Sequence, residues 1–143
     1  MQITEHFSLE ELTRTDTGLP NDPPQDIAKN LVRLCEDALE PARALVGPLQ
    51  VNSGYRSAAV NKAVKGSPTS AHMQGLAADV VPVQFSRSVA FSILSTSGIP
   101  YDQLILEPTW IHIGLARDGV EPRRQLLEAV RTPNGMTYHP VKR

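Results

Sequence analysis

The sequence predicts a single α+β domain in which helices pack on a small antiparallel sheet. Its length of 143 residues is typical of one domain, and no repeat, low-complexity tract or linker divides the chain. Apolar residues recur at helical spacing over residues 25–46. Four short alternating or apolar runs are instead typical of strands, and they cover residues 49–53, 77–81, 103–107 and 110–114.

The first predicted element is a short helix over residues 9–14. Ser8 and Glu11 stand at the spacing of a capping box, and Phe7 and Leu12 occupy the two hydrophobic-staple positions. We therefore expect this helix to begin directly after Ser8.

The second helical stretch covers residues 25–46 and contains Pro41, which lacks an amide donor and should break or kink the helix near Leu39. Its apolar stripe comprises Ile27, Leu31, Leu34, Cys35, Ala38, Leu39, Ala42 and Leu45. Because Cys35 lies on this stripe, we expect a buried structural thiol, and a lone cysteine excludes an internal disulfide.

Two shorter helices are predicted further along the chain. One is capped by Ser57 and ends near Val64, and the other covers residues 88–95 after the cap Ser86.

The last part of the chain, residues 117–143, is polar and contains prolines. We expect a short helix around residues 125–129 and a loose end. The predicted domain, residues 1–143, thus has a core of about residues 7–116 and a C-terminal extension.

The overall charge and hydropathy exclude several classes of protein. Fourteen basic against fifteen acidic side chains give a net charge of −1, which argues against a nucleic-acid partner. The sequence contains no run of 18 consecutive apolar residues, so we expect no membrane-spanning helix. The first residues lack the pattern of a secretory signal, so we expect synthesis in the cytoplasm and, for any action outside, another route out.

Two polar residues interrupt apolar strands. Asp79 lies within residues 77–81, and His112 lies between two isoleucines. With His72, seven residues before Asp79, they provide two imidazoles and one carboxylate, a ligand set that suits a catalytic zinc. The alternative is that each is a hydrogen-bonded core residue without a metal.

Three motifs follow one another along the chain: Ser53-Gly54-Tyr55-Arg56-Ser57, Ser70-x-His72-x-x-Gly75-x-Ala77-x-Asp79 and Trp110-x-His112. They resemble the zinc D-alanyl-D-alanine carboxypeptidase family, which includes L-alanyl-D-glutamate endopeptidases of phage lysins and shares its fold with the hedgehog signalling domain. The nearest resemblance is to the compact phage and prophage branch. It implies that His72, Asp79 and His112 bind one zinc ion per chain, and that Arg56 steadies the substrate carbonyl oxygen.

Arg56 also suits this role by its own chemistry. It follows a strand end and a glycine, where a loop can direct the guanidinium donors at a carbonyl oxygen or a terminal carboxylate. The alternative is a surface arginine at a helix start. Ser70 is expected either to hydrogen-bond a ligand or merely to end a loop.

The general base is where the sequence departs from better-known members of that family. Those members place an acid three residues before the last ligand or a histidine two before it, where this chain has Thr109 and Trp110. The nearest acid is Glu107. If residues 108–109 form a two-residue loop, Glu107 pairs with Trp110 and Ile105 pairs with His112, so all four share one face of the hairpin.

Glu107 is accordingly the candidate base, and Trp110 is a candidate contact for substrate or a ligand. The alternative for Glu107 is an exposed acid in a turn. His112 would be its diagonal neighbour across the two strands.

The sequence thus predicts a zinc metallopeptidase that cleaves peptidoglycan stem peptides, as a monomeric phage or prophage endolysin. It would act on the cell wall after release by a membrane-permeabilising partner, a holin. The rival hypothesis is a non-catalytic zinc module that binds cell-wall peptides, or a virion component. The bond that is cut stays open between D-Ala-D-Ala, L-Ala-D-Glu and a cross-bridge.

Overall fold

The computed structural model describes residues 1–142, which form a six-stranded mixed sheet and several short helices. The strands are β1 (Leu49–Ser53), β2 (Ala77–Pro82), β3 (Tyr101–Leu106), β4 (Ile111–Leu115), β5 (Gln125–Thr132) and β6 (Gly135–Pro140). They lie in the order β1-β2-β4-β3-β5-β6. The predicted α+β class is confirmed.

The sheet is mixed rather than wholly antiparallel, because β5 runs parallel to β3. β5 follows β4 along the chain but lies on the far side of β3. Since β4 is antiparallel to β3, a chain that reverses once more after β4 must run parallel to β3. The predicted antiparallel sheet is thus present in the other strand pairs and is extended by the one parallel pair, β3 with β5.

The helical segments are α1 (Leu9–Thr13), α2 (Gln25–Leu34), a π-helical turn (Cys35–Leu39), α3 (Glu40–Val46), α4 (Ala58–Ala63), a 3₁₀ turn (Ala71–Gln74) and α5 (Arg87–Ser95). Ser8 and Glu11 form the predicted capping box of α1. Ser57 and Ser86 cap α4 and α5 as predicted. Within residues 1–142, every helix is too short or too polar to cross a bilayer.

The π-helical turn ends at Leu39, two residues before Pro41, where the sequence predicts a break or kink. The Glu40 amide donates to the Cys35 carbonyl, five residues back, so one extra residue is accommodated in this turn. The insertion shifts the phase of the buried stripe. Leu45, predicted on that stripe, is therefore exposed, and Val46 is buried in its place.

One face of the sheet packs against the helices and forms the hydrophobic core. Its buried residues alternate along β1, β2 and β4, as half-covered strands require, and the strand residues of the core include Val51, Ala78, Val80, Leu104, Ile111 and Ile113. The intervening residues of β2 and β4, Asp79 and His112, point to the other face. Cys35 belongs to the core, and burial raises the pKa of its thiol to about 12.

The C-terminal extension differs from its prediction. Residues expected to form a helix around 125–129 and a loose end instead form the β5–β6 hairpin. β5 pairs with β3 through residues 125–128, a long-range contact that overrides the local helical pattern. Pro133 and Asn134 form the turn between the two strands, and Gly135, with φ of 115°, begins β6.

The hairpin between β3 and β4 has the predicted register. Ile105 pairs with His112, and the Glu107 amide donates to the Trp110 carbonyl at 3.0 Å, so residues 108–109 form the loop.

Candidate metal centre and cleft

Three separate elements carry His72, Asp79 and His112. Asp79 lies in the middle of β2 and is paired directly with His112 of β4. His72 lies in the 3₁₀ turn, which ends at Gly75 in the left-handed conformation with φ of 69°. The reversal at Gly75 leads the chain into β2, and this places His72 beside the two strand residues.

His72 is held by hydrogen bonds on both its backbone and its ring. Its amide donates to Ser70 Oγ at 3.2 Å, and its carbonyl accepts from the Arg56 amide at 3.1 Å. Its Nδ1 lies 2.7 Å from the Gly54 carbonyl oxygen. Because a carbonyl can only accept, Nδ1 carries the proton and Nε2 is left as the ligand atom.

The donor atoms of the three residues converge. Oδ1 of Asp79 lies 3.3 Å from Nε2 of His72 and 3.1 Å from Nδ1 of His112. All three candidate ligand atoms lie within 4.8 Å of one another. Two imidazole nitrogens and one carboxylate oxygen are a donor set that suits zinc and leave a fourth position free. The chemistry of the cluster therefore fits the metal that the sequence predicts.

Asp79 is the charged centre of this cluster. Burial raises the pKa of Asp79, but its hydrogen bonds with His112 and His72 outweigh that effect and hold the pKa below the usual range of an aspartate. The side chain is therefore an anion inside the protein, as a metal ligand must be.

Arg56 lies beside the cluster and is fixed by three partners. Its Nε donates to Ser53 Oγ at 3.1 Å, and its Nη1 donates to Asn61 Oδ1 at 3.3 Å. Its Nη2 lies 3.4 Å from Oδ2 of Asp79, the carboxylate oxygen that the histidines do not contact. The guanidinium is thus an ordered cation next to the candidate ligands rather than a free surface group.

Glu107 is buried, with 8% of its surface exposed, although it follows the last residue of β3. Burial raises the pKa of Glu107, and the charge of Asp79 adds to this effect against the opposing charge of His112. The alternative reading of Glu107 as an exposed turn acid is therefore wrong.

Trp110 closes the hairpin loop next to Glu107. Its backbone carbonyl accepts from the Glu107 amide. Its indole Nε1 is buried without a hydrogen-bond partner within residues 1–142. The indole nitrogen is therefore a donor that its surroundings leave unused.

A single cleft of about 910 Å³ collects every site residue that the sequence predicts. These residues are Arg56, Ser70, His72, Asp79, Glu107, Trp110 and His112. The segment between β4 and β5 also lines the cleft, through Val120 and Glu121.

Tyr138 is a cleft residue next to Glu107 that the sequence analysis did not identify. Tyr138 of β6 lines the cleft, and its hydroxyl donates to Oε1 of Glu107 at 3.5 Å. It was missed because residues 117–143 were expected to end loosely. The turn signal of Pro133, Asn134 and Gly135 between two short runs could have revealed the hairpin that carries it.

The family model described as Peptidase M15 matches residues 5–114. This span holds all three sequence motifs and every predicted site residue, and it ends before β5. A search among curated proteins finds none that matches the chain.

Proposed function

The chain belongs to the Peptidase M15 family, and we propose that it is a zinc-dependent peptidase that cleaves the stem peptides of peptidoglycan. The observation that carries the proposal is the convergence of His72, Asp79 and His112 beside a fixed cation and a buried acid in one cleft. A hydrolase of this kind needs a Lewis-acid site, an oxyanion partner and a base, and the cleft offers a candidate for each.

The metal would be held by Nε2 of His72, Oδ1 of Asp79 and Nδ1 of His112, the three convergent atoms. When bound, zinc supplies polarisation of the scissile carbonyl and a lowered pKa for the attacking water. Gly54 and Ser70 keep His72 in the required tautomer and position.

Arg56 is the proposed partner of the carbonyl oxygen as it gains negative charge. Ser53 and Asn61 already hold two of its donor nitrogens, so little reorganisation is needed when substrate binds. The third, Nη2, faces Asp79 and lies next to the cluster where the carbonyl would be bound.

Glu107 is the proposed base. It takes a proton from the attacking water while the water oxygen bonds to the carbonyl carbon. It then gives that proton to the leaving nitrogen as the C–N bond breaks, which yields a carboxylic acid and an amine. Its raised pKa suits both steps, because a carboxyl group with a pKa nearer neutrality can accept and return a proton at the working pH.

The proposed setting is bacterial cell-wall lysis by a phage or prophage endolysin that reaches its substrate through a holin. This rests on the resemblance of the three motifs to the compact phage branch. The rival, a non-catalytic module that binds cell-wall peptides, draws on the lack of an acid at position 109. The buried Glu107 in the same cleft favours the catalytic reading.

The test is turbidity loss of permeabilised cells with the purified chain, with and without a chelator. We expect clearing that stops on chelation and returns with added zinc. Asp79→Ala should abolish it, whereas the matched variant Glu128→Gln, an exposed acid on β5, should not change it. Mass spectrometry of the released muropeptides would identify the bond. Binding to cell walls without any new amine terminus would favour the rival.

A further inference from the structure

The β5–β6 hairpin lies outside the matched span of residues 5–114, yet it continues the face of the sheet that bears the candidate metal centre. His112 pairs with Ile105 of β3, and Ile105 pairs with Leu127 of β5. Ala129 shares the face of Leu127, and Tyr138 of β6 pairs with Ala129. The ring of Tyr138 is therefore on the same side of the sheet as His112.

Tyr138 covers Glu107 from this side. Glu107 is 8% exposed, whereas the tyrosine above it is 49% exposed, so the ring forms the solvent-facing layer. Within residues 1–142, the Tyr138 hydroxyl is the one hydrogen-bond donor to the Glu107 carboxylate, and it contacts Oε1. The second oxygen, Oε2, is left without such a partner in that part of the chain.

The hairpin is anchored at its base. Arg123 binds both carboxylate oxygens of Asp102, the second residue of β3, at 2.8–3.2 Å. The guanidinium of Arg124 donates to the carbonyls of Ser97 and Ile99 and lies 4.3 Å from the ring centre of Tyr101. β5 also pairs with β3, and β3 leads directly into Glu107. The positions of Tyr138 and Glu107 are therefore fixed by the same part of the sheet.

We infer that Tyr138 is a positioning residue for Glu107, and that the C-terminal hairpin is part of the catalytic cleft rather than an appendage. Its hydroxyl fixes the rotation of the carboxylate by occupying Oε1, and this leaves Oε2 as the oxygen that exchanges the proton. Its ring limits the access of bulk water to that carboxylate. The inference rests on the proposed role of Glu107 as the base.

The kinetic test uses Tyr138→Phe, which removes the hydroxyl and keeps the ring. We expect kcat to fall about tenfold, the scale of one hydrogen bond to a charged group, while KM stays within about twofold. In a Glu107→Gln background, Tyr138→Phe should change kcat by less than about twofold, because it acts through that carboxylate. His139 follows Tyr138 in β6 and points to the opposite face of the sheet. His139→Gln is therefore the matched control and should retain wild-type kcat.

The contact itself can be tested without activity. The chain has three tyrosines, so protein labelled with ¹³C at tyrosine Cζ should give three NMR signals, and Tyr138→Phe assigns one of them. Glu107→Gln should move the Tyr138 signal and leave those of Tyr55 and Tyr101 in place. Glu128→Gln should move none of the three.

Three results would overturn the inference. They are a wild-type kcat in Tyr138→Phe, a fall in kcat that Tyr138→Phe causes equally in the wild-type and Glu107→Gln backgrounds, and a Tyr138 NMR signal that does not move in Glu107→Gln. A wild-type chain without peptidase activity would instead refute the proposed function and the catalytic part of this inference together. The NMR signal would then still decide whether Tyr138 holds Glu107.

Discussion

Asp79 and His112 are directly opposed on neighbouring antiparallel strands, with Oδ1 of Asp79 3.1 Å from Nδ1 of His112. Strand pairing alone therefore brings two of the three candidate ligands together, and only His72 depends on the conformation of a turn. The cluster is consequently sensitive to two kinds of change, loss of a ligand atom and distortion of that turn.

Loss of a ligand atom should abolish metal binding. Protein purified without added metal is expected to contain near-stoichiometric zinc by elemental analysis, and Asp79→Ala to contain almost none, because the oxygen that both histidines face is gone. Chelation should lower the melting temperature of the wild type but not of Asp79→Ala. A metal-free wild type that takes up no added zinc would contradict the site.

Distortion of the turn should have a different signature. Gly75→Ala places a Cβ 2.9 Å from the Ile27 carbonyl oxygen at a φ of 69°, where a side chain is strained. We expect a loss of about 1–3 kcal/mol in unfolding free energy and weaker zinc binding, because the turn holds His72. Denaturant unfolding and zinc titration measure the two effects. Gly98→Ala is the control, since its Cβ would meet nothing within 4 Å.

Much of this site could be predicted because its signals are local. An acid or an imidazole within an apolar strand is visible in the sequence, and a two-residue loop fixes which residues share a face. The register that pairs Ile105 with His112 followed from that loop and is confirmed. The pocket that buries Glu107 did not follow from it, since burial also depends on what covers the strand.

The hairpin that supplies this cover shows why the rest could not be predicted. Residues 125–129 contain apolar and helix-favouring residues, and nothing local shows that β3 lies alongside them. Pairing between β3 and β5 joins segments about twenty residues apart, and the resulting ladder decides the conformation. Tyr138 reaches the cleft only as a consequence of that pairing.

The geometry of the Arg56 guanidinium should matter as well as its charge. Arg56→Lys keeps a cation but cannot contact Ser53, Asn61 and Asp79 together, so the charge is no longer held in place. We expect the fold and the zinc content to be retained and kcat to fall about 10²-fold, the scale of one lost oxyanion donor. Arg131→Lys, an exposed arginine on β5, is the control. Wild-type turnover in Arg56→Lys would exclude Arg56 from the reaction.

The anchor of the hairpin should weaken in acid. The Arg123 guanidinium lowers the pKa of Asp102, so the stabilising contribution of Asp102 is present above its unfolded pKa of about 3.9 and is lost as the pH falls through the folded value. Asp102→Asn should therefore cost about 1 kcal/mol at pH 7 and progressively less below pH 4. Unfolding curves across this pH range measure the difference. A cost that does not change with pH would mean that the ion pair is not its source.

Replacement of the proposed base should separate catalysis from structure. Glu107→Gln keeps the shape of the side chain and leaves the three candidate ligands untouched, so zinc content and melting temperature should stay close to those of the wild type. Activity should nevertheless fall by about 10²–10⁴, the usual contribution of general acid–base catalysis, because an amide cannot take a proton from water at neutral pH. The measurement is initial-rate hydrolysis of purified muropeptides at equal zinc occupancy, with Glu128→Gln as the exposed-acid control. Full activity in Glu107→Gln, alongside inactive Asp79→Ala, would mean that another group takes the proton.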